Sequence, residues 1–127
     1  MISRTTKRGK RSSSRPGPSG ERVQRGDVFW ANLPGPSGRR PVVIVSRSEA
    51  VRVRTLVTIA PVTKKVRRIA SEVPLGREQG LRIRCVANCD SLKTISKRRL
   101  TKRIGALDSH KLVELDDALR YALGIRT

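Results

Sequence analysis

Two cations, Arg39 and Arg40, stand immediately before Pro41-Val42-Val43-Ile44-Val45, and Thr63 lies just past Thr55-Leu56-Val57-Thr58-Ile59-Ala60 and Pro61. Arginine offers a rigid fork of donors matched to phosphate oxygens. Threonine adds a hydroxyl that both donates and accepts. If the two β-branched runs are neighbouring strands, their ends bring Arg40 and Thr63 onto one phosphate. The same residues also fit a solvated basic rim, which spacing alone favours over catalysis.

Other chemistries find little support. A structural zinc site wants four Cys or His ligands. The chain offers three such residues, Cys85, Cys89 and His110. Cys85 and Cys89 read more simply as small apolar side chains on one face of a strand. Two-metal catalysis needs clustered carboxylates, and neither β-branched run carries an acid. One histidine at a helix start gives no acid–base pair. No G-x-S-x-G elbow is present for a serine hydrolase.

The charge points to an anionic partner. The 127 residues hold 29 Lys plus Arg against 10 Asp plus Glu, a formal net charge of +19. Residues 1–25 contribute eight cations against Glu21, and residues 26–127 contribute 21 cations against nine acids. The remainder is therefore basic in its own right. Residues 1–22 read as a disordered basic tail, because Ser12-Ser13-Ser14-Arg15-Pro16-Gly17-Pro18-Ser19-Gly20 has nothing to anchor a core. Such a tail is either a solubilising extension or a nucleic-acid-binding arm. Residues 23–127 form one domain. No apolar run approaches the roughly 20 residues of a membrane span. Nor does the basic start lead into a secretory leader. Two cysteines make no disulfide framework. The expectation is a small soluble protein of the cytoplasm.

The elements that must position the chemistry are short. Residues 26–32 alternate as a first strand, with Val28 and Trp30 on one face, and residues 33–38 are a Pro/Gly loop. Residues 42–45 read as a strand buried on both faces. Residues 55–60 form a third strand, ended by Pro61. Lys64-Lys65-Val66-Arg67-Arg68 is a basic connection. Residues 71–75 form a strand that Pro74 assigns to a sheet edge. Residues 84–88 form another, and 91–95 extend the sheet. Ser96 caps one or two helical turns through Leu100. Asp108 or Ser109 caps a final helix in which Leu112, Leu115, Leu119 and Ala122 recur at helical spacing, closed by Gly124.

Taken in order, these blocks resemble the MazF/PemK toxin family. Arg25-Gly26-Asp27-Val28-Phe29-Trp30 is similar to its opening, Arg40-Pro41-Val42-Val43-Ile44-Val45-Ser46 to its central block, and Ala60-Pro61-Val62-Thr63 to the next. Gly80-Leu81, Cys89-Asp90, Ile95 with Arg99-Leu100, Ile104-Gly105 and Leu123-Gly124 continue the order. The resemblance implies a mainly β fold with α, a small SH3-like barrel with a C-terminal helix, working as a homodimer. It implies the toxin of a type II toxin–antitoxin pair, a sequence-specific endoribonuclease that needs no metal or other cofactor. In that chemistry the ribose 2′-hydroxyl of single-stranded RNA attacks the adjacent phosphate, leaving a 2′,3′-cyclic phosphate. By motif position, Arg40 and Thr63 are the implied catalytic residues, with Ser37 of the preceding loop as a third. Arg39, Lys64, Lys65, Arg67 and Arg68, with Asn88 and Asp90, make the implied RNA-binding surface. The implied protein partner is an antitoxin with an acidic C-terminal segment.

Two departures stand out. The loop before the Arg-Pro block is shorter than is usual in the family, and Asn88 stands where some members carry arginine. Two other functions share this reading's ground. A DNA-gyrase poison of the same fold type bears its activity in the last residues, but this chain ends Leu123-Gly124-Ile125-Arg126-Thr127 without an aromatic terminus. A non-catalytic RNA-binding barrel needs only the charge.

Overall fold

Val42, Val43 and Ile44 offer no polar side chain to water, and they become the middle of a sheet. The computed structural model describes residues 22–126. In it β2 (Gly38–Ile44) runs antiparallel between β1 (Asp27–Leu33) and β3 (Leu56–Thr63). The strand order is β4 (Glu72–Leu75), β5 (Cys85–Asn88), β3, β2, β1 and β7 (Leu100–Ala106), and β6 (Lys93–Ser96) also pairs with β3. One edge of β3 changes partner along its length. Leu56–Ile59 pairs with β6, and Val62–Thr63 pairs with β5. That handover curls the sheet into a half-barrel.

Side chains alternate across the strands, so the curled sheet has two cores. Val28, Val43, Ala60 and Val62 pack on one side with Val73, Cys85, Cys89, Leu115 and Ala118. Phe29, Val42, Ile44, Val57 and Ile59 pack on the other with Val23, Val51, Ile95 and Leu100. The α-helix α2 (Ser109–Leu123) covers the first core with Leu115 and Ala118. Asp108 caps it, accepting from the Lys111 amide at 2.8 Å, and Gly124 closes it at φ 69°. Among the described residues no helix is long and apolar enough to cross a membrane.

Two expectations need correction, and two elements are additions. Pro61 does not end its strand: β3 runs on to Thr63, with Pro61 opposite Val42. Proline lacks an N–H, but on the other edge it falls between the β6 and β5 pairings, where no ladder partner asks for one. The segment after Ser96 is a single 3₁₀ turn, Lys97–Arg99, with Ser96 accepting from the Arg98 amide. The chain then continues as β7, which the sequence pattern does not announce because only Leu100 of its seven residues is buried. A short helix α1 (Ser48–Val53) is likewise unforeseen, and buries only Val51. Pro74 does lie in the edge strand β4. The tail expected over residues 1–22 lies outside the described residues except for Arg22.

Candidate active site

Across β2 and β3, Val42 faces Pro61. Two residues back along β2 stands Arg40, and two residues on along β3 stands Thr63. Alternation puts both on the same face at the same end of the strand pair. Both line one cleft of about 210 Å³, together with Ser37, Pro61, Lys65, Arg67, Asn88, Ser91 and Lys93. Four of these nine residues are cations and none is an acid. A concave surface of one sign focuses field and raises the local concentration of an anion.

Hydrogen bonds set what the key groups still have to offer. Arg40 Nε donates to the Ser37 carbonyl at 3.3 Å. That contact orients the guanidinium and leaves its terminal nitrogens for a ligand. Thr63 Oγ1 accepts from the Lys65 amide at 3.2 Å, which leaves the hydroxyl proton to donate. Asn88 Oδ1 accepts from the Asp90 amide at 2.9 Å, and its Nδ2 donates to Ser91 Oγ at 3.2 Å. These bonds hold the 3₁₀ turn Cys89–Ser91 at the cleft wall.

The basic connection is shaped by an acid. The buried Glu72 carboxylate accepts from the Arg67 amide at 3.0 Å and from the Arg68 amide at 2.9 Å. Arg68 adopts a φ of 60°, uncommon for a residue with a Cβ. Glu72 stands opposite Asn88 across β4 and β5. One carboxylate therefore ties the loop carrying Lys65 and Arg67 to the strand pair beside the cleft.

Of the residues expected at the site, Ser37, Arg40, Thr63, Lys65, Arg67 and Asn88 meet in this cleft. Arg39, Lys64, Arg68 and Asp90 lie outside its lining. Arg39 leaves β2 on the opposite face from Arg40 and stacks on Trp30, its guanidinium 4.2 Å from the ring centroid. Asp90 instead accepts a hydrogen bond from the buried Ser71 hydroxyl. Ser91 and Lys93 are additions. Their signal is the pairing of β6 with β3, which brings Lys93 opposite Ile59, and such long-range pairing is not written in local sequence.

Away from the cleft, burial shifts two thiols and one carboxyl. Cys85 and Cys89 are free and buried. Burial first, and then the neighbouring Asp90 charge, push the Cys89 thiol up to about 11, and burial raises Cys85 as well. Burial likewise raises the Asp27 carboxyl above its ordinary 3.8, against the opposing pull of the Gln24 amide and Arg103. His110 is exposed and sits 3.3 Å from Glu114 on the same helix. No cluster of three or more His, Cys, Asp or Glu residues suited to a metal occurs among the described residues.

The chain is similar to known proteins over most of its length. Residues 24–123 match the family model described as "PemK-like, MazF-like toxin of type II toxin-antitoxin system". The probable endoribonuclease MazF5 of Mycobacterium tuberculosis is 35% identical over 102 residues, covering 78% of this chain and 91% of that protein. The solved structure of the M. tuberculosis toxin MazF-mt6 superposes with a TM-score of 0.74 at 33% identity, covering 80% of this chain and 99% of that one. A mycobacterial endoribonuclease solved in complex with its cognate antitoxin superposes equally well, at 0.74 and 28% identity, covering 83% and 98%. With residues 24–123 matched and four-fifths of the chain superposing on a solved toxin, the chain belongs to the PemK-like, MazF-like toxins of type II toxin–antitoxin systems.

Proposed function

We propose that this toxin is an endoribonuclease that cleaves single-stranded RNA at short sequences, without a metal ion. The observation that carries the reading is the cleft in which Arg40 and Thr63 converge among cations and no acid. RNA supplies its own nucleophile. The 2′-oxygen bonds to phosphorus, the bond from phosphorus to the 5′-oxygen breaks, and the products are a 2′,3′-cyclic phosphate and a 5′-hydroxyl. The 2′-hydroxyl gives up its proton and the leaving oxygen gains one, so no net proton is consumed. DNA lacks the 2′-hydroxyl and is not a substrate.

The protein's task is to hold the charge that builds on the pentacoordinate phosphate. Arg40, with Nε committed to Ser37, presents its terminal nitrogens to the non-bridging oxygens. Thr63 donates its remaining proton. Lys65, Arg67 and Lys93 surround them. Donors fixed before reaction need no reorganisation during it, which is what lowers the barrier. A guanidinium releases a proton poorly at neutral pH, so Arg40 acts through charge rather than as a base. Ser37 contributes its carbonyl to Arg40 and stands at the cleft rim beside the phosphate.

The acidic segment of an antitoxin suits the same cations, and its seating there blocks the cleft. A homodimer in the cytoplasm completes the reading, with residues 1–22 as a basic extension of the toxin domain.

End-labelled RNA incubated with the protein in EDTA tests the chemistry. The expected products carry 2′,3′-cyclic phosphate and 5′-hydroxyl ends. Arg40→Ala is expected to lower the cleavage rate about 100- to 1000-fold, with a much smaller change in RNA affinity. A strict need for added Mg²⁺, or cleavage of an RNA that is 2′-deoxy at the scissile position, would overturn the mechanism.

A further inference from the structure

On the face of the β1–β2 end opposite the cleft, the chain's one tryptophan is surrounded by cations. Trp30 is half-buried and pairs across β1 with Lys102 of β7. On its other side Arg39, exposed, lays its guanidinium over the ring at 4.2 Å. Arg99 closes the end of the group by donating to the Asn32 carbonyl at 3.0 Å. No carboxylate lies within ion-pair distance of Arg39, Arg99 or Lys102 among the described residues. The segment from Ser91 to Leu107 contains six cations and no acid. It begins beside Lys93 in the cleft wall and ends beyond this group. Consecutive residues Arg39 and Arg40 thus serve opposite faces of one strand, and the turn carrying Ser37 joins the two faces.

We propose that Trp30, Arg39 and Lys102 form a stacking platform for a nucleotide of the RNA outside the scissile step; this rests on the RNA reading given above. A base lies flat on the exposed plane of the Arg39 guanidinium, itself backed by the indole, while Lys102 takes a flanking phosphate. Guanidinium and aromatic planes are the surfaces on which unpaired bases stack, and such stacking accepts any base. A carboxylate-rich polypeptide would need the cations but not the plane, so the aromatic at the centre favours RNA as the occupant. The platform therefore adds grip to an RNA passing from the cleft around the β1–β2 turn, and leaves sequence choice to the cleft.

Trp30 being the only tryptophan, its fluorescence reports on the platform directly. The full chain carrying Arg40→Ala, so that RNA stays intact, is titrated with a mixed-sequence tetranucleotide and a dodecanucleotide. The dodecanucleotide is expected to quench Trp30 strongly and the tetranucleotide weakly. Trp30→Leu, added to that background, removes the fluorophore, so its binding is read from the anisotropy of an end-labelled dodecanucleotide; it is expected to weaken that binding roughly 5- to 100-fold, and Trp30→Phe to restore most of it. Lys102→Ala changes an exposed residue and is the variant to use should Trp30→Leu not fold. It is expected to lower the log–log salt slope of binding by about 0.7, one phosphate contact on a single strand. If the parent cleaves RNA but Trp30→Leu and Lys102→Ala each bind the dodecanucleotide with parental affinity and slope, the platform is wrong and the nuclease stands. If these variants lose affinity only for a polyglutamate peptide, the surface belongs to a protein and the platform is wrong. If the parent cleaves no RNA, both readings fall together.

Discussion

Arg40 and Thr63 each enter the cleft with one hydrogen-bonding capacity already spent on backbone, and what remains decides how each tolerates substitution. Lysine at position 40 keeps the charge but loses both the Nε bond to Ser37 and the planar fork. Arg40→Lys is therefore expected to recover only part of the rate lost in Arg40→Ala. Thr63→Ser keeps the hydroxyl and its acceptance from Lys65, so it is expected to cleave faster than Thr63→Ala; single-turnover rates on one RNA rank all four. Glu72 is the residue whose importance the sequence conceals, since nothing in the short strand 71–75 shows what its carboxylate meets. Its carboxylate satisfies two amides of the loop that brings Lys65 and Arg67 to the cleft. Glu72→Gln keeps an acceptor without the charge. It is expected to cost about 1–3 kcal/mol of stability and to raise KM more than it lowers kcat, read by urea unfolding and steady-state kinetics. That Arg40 and Thr63 meet in one cleft was legible because they flank β-branched runs that pair, whereas their catalytic role is what the family resemblance implies. Ser91 and Lys93 were not legible, because a pairing between distant strands brings them in.

Elements divide along the same line. Strands with a buried face were legible: β2 through its unbroken β-branched run, β4 through Pro74 at an edge, and α2 through its leucine spacing and its two caps. The elements that escaped are those whose burial is slight. α1 hides one side chain, and β7 buries Leu100 alone among its seven residues while carrying Lys102 and Arg103 to solvent. Pro61 misled because the rule against proline within strands assumes a ladder on both edges, and here one edge is changing partner. Within β7 the glycine is diagnostic after the fact. A Cβ on Gly105 would collide with the oxygen and carbon of the Gln79 carbonyl, backbone atoms with little room to move. Gly105→Ala is expected to destabilise the fold by about 1–3 kcal/mol. A thermal melt matching the parent would mean that the turn Arg77–Gln79 packs against β7 more loosely than these contacts imply.

At the scale of the whole molecule, charge is sorted as well as abundant. Glu114, Asp116 and Asp117 sit on α2 and are engaged there by Lys111, Arg25 and Arg120, whereas the cleft keeps its cations unopposed. Strong alkali should expose a separate weakness. The thiols of Cys85 and Cys89 ionise near 9.0 once the chain is unfolded, but Cys89 only at about 11 and Cys85 above its ordinary value while folded. Between those limits the unfolded chain binds fewer protons than the folded one, so stability falls as pH climbs past about 9. Melting temperatures measured from about pH 8 to 10.5 should decline, and the Cys89→Ala variant should decline less steeply. Cys89 also stands at a telling place. It opens the turn between Asn88 and Ser91, one layer beneath the cleft wall, and packs on the core that α2 covers. An alkylating reagent reaches that sulfur only when the wall lifts away from the helix. The labelling half-life of Cys89 is thus a clock for breathing at the cleft, and whatever occupies the cleft, nucleotide chain or inhibitory peptide, should make that clock run slow.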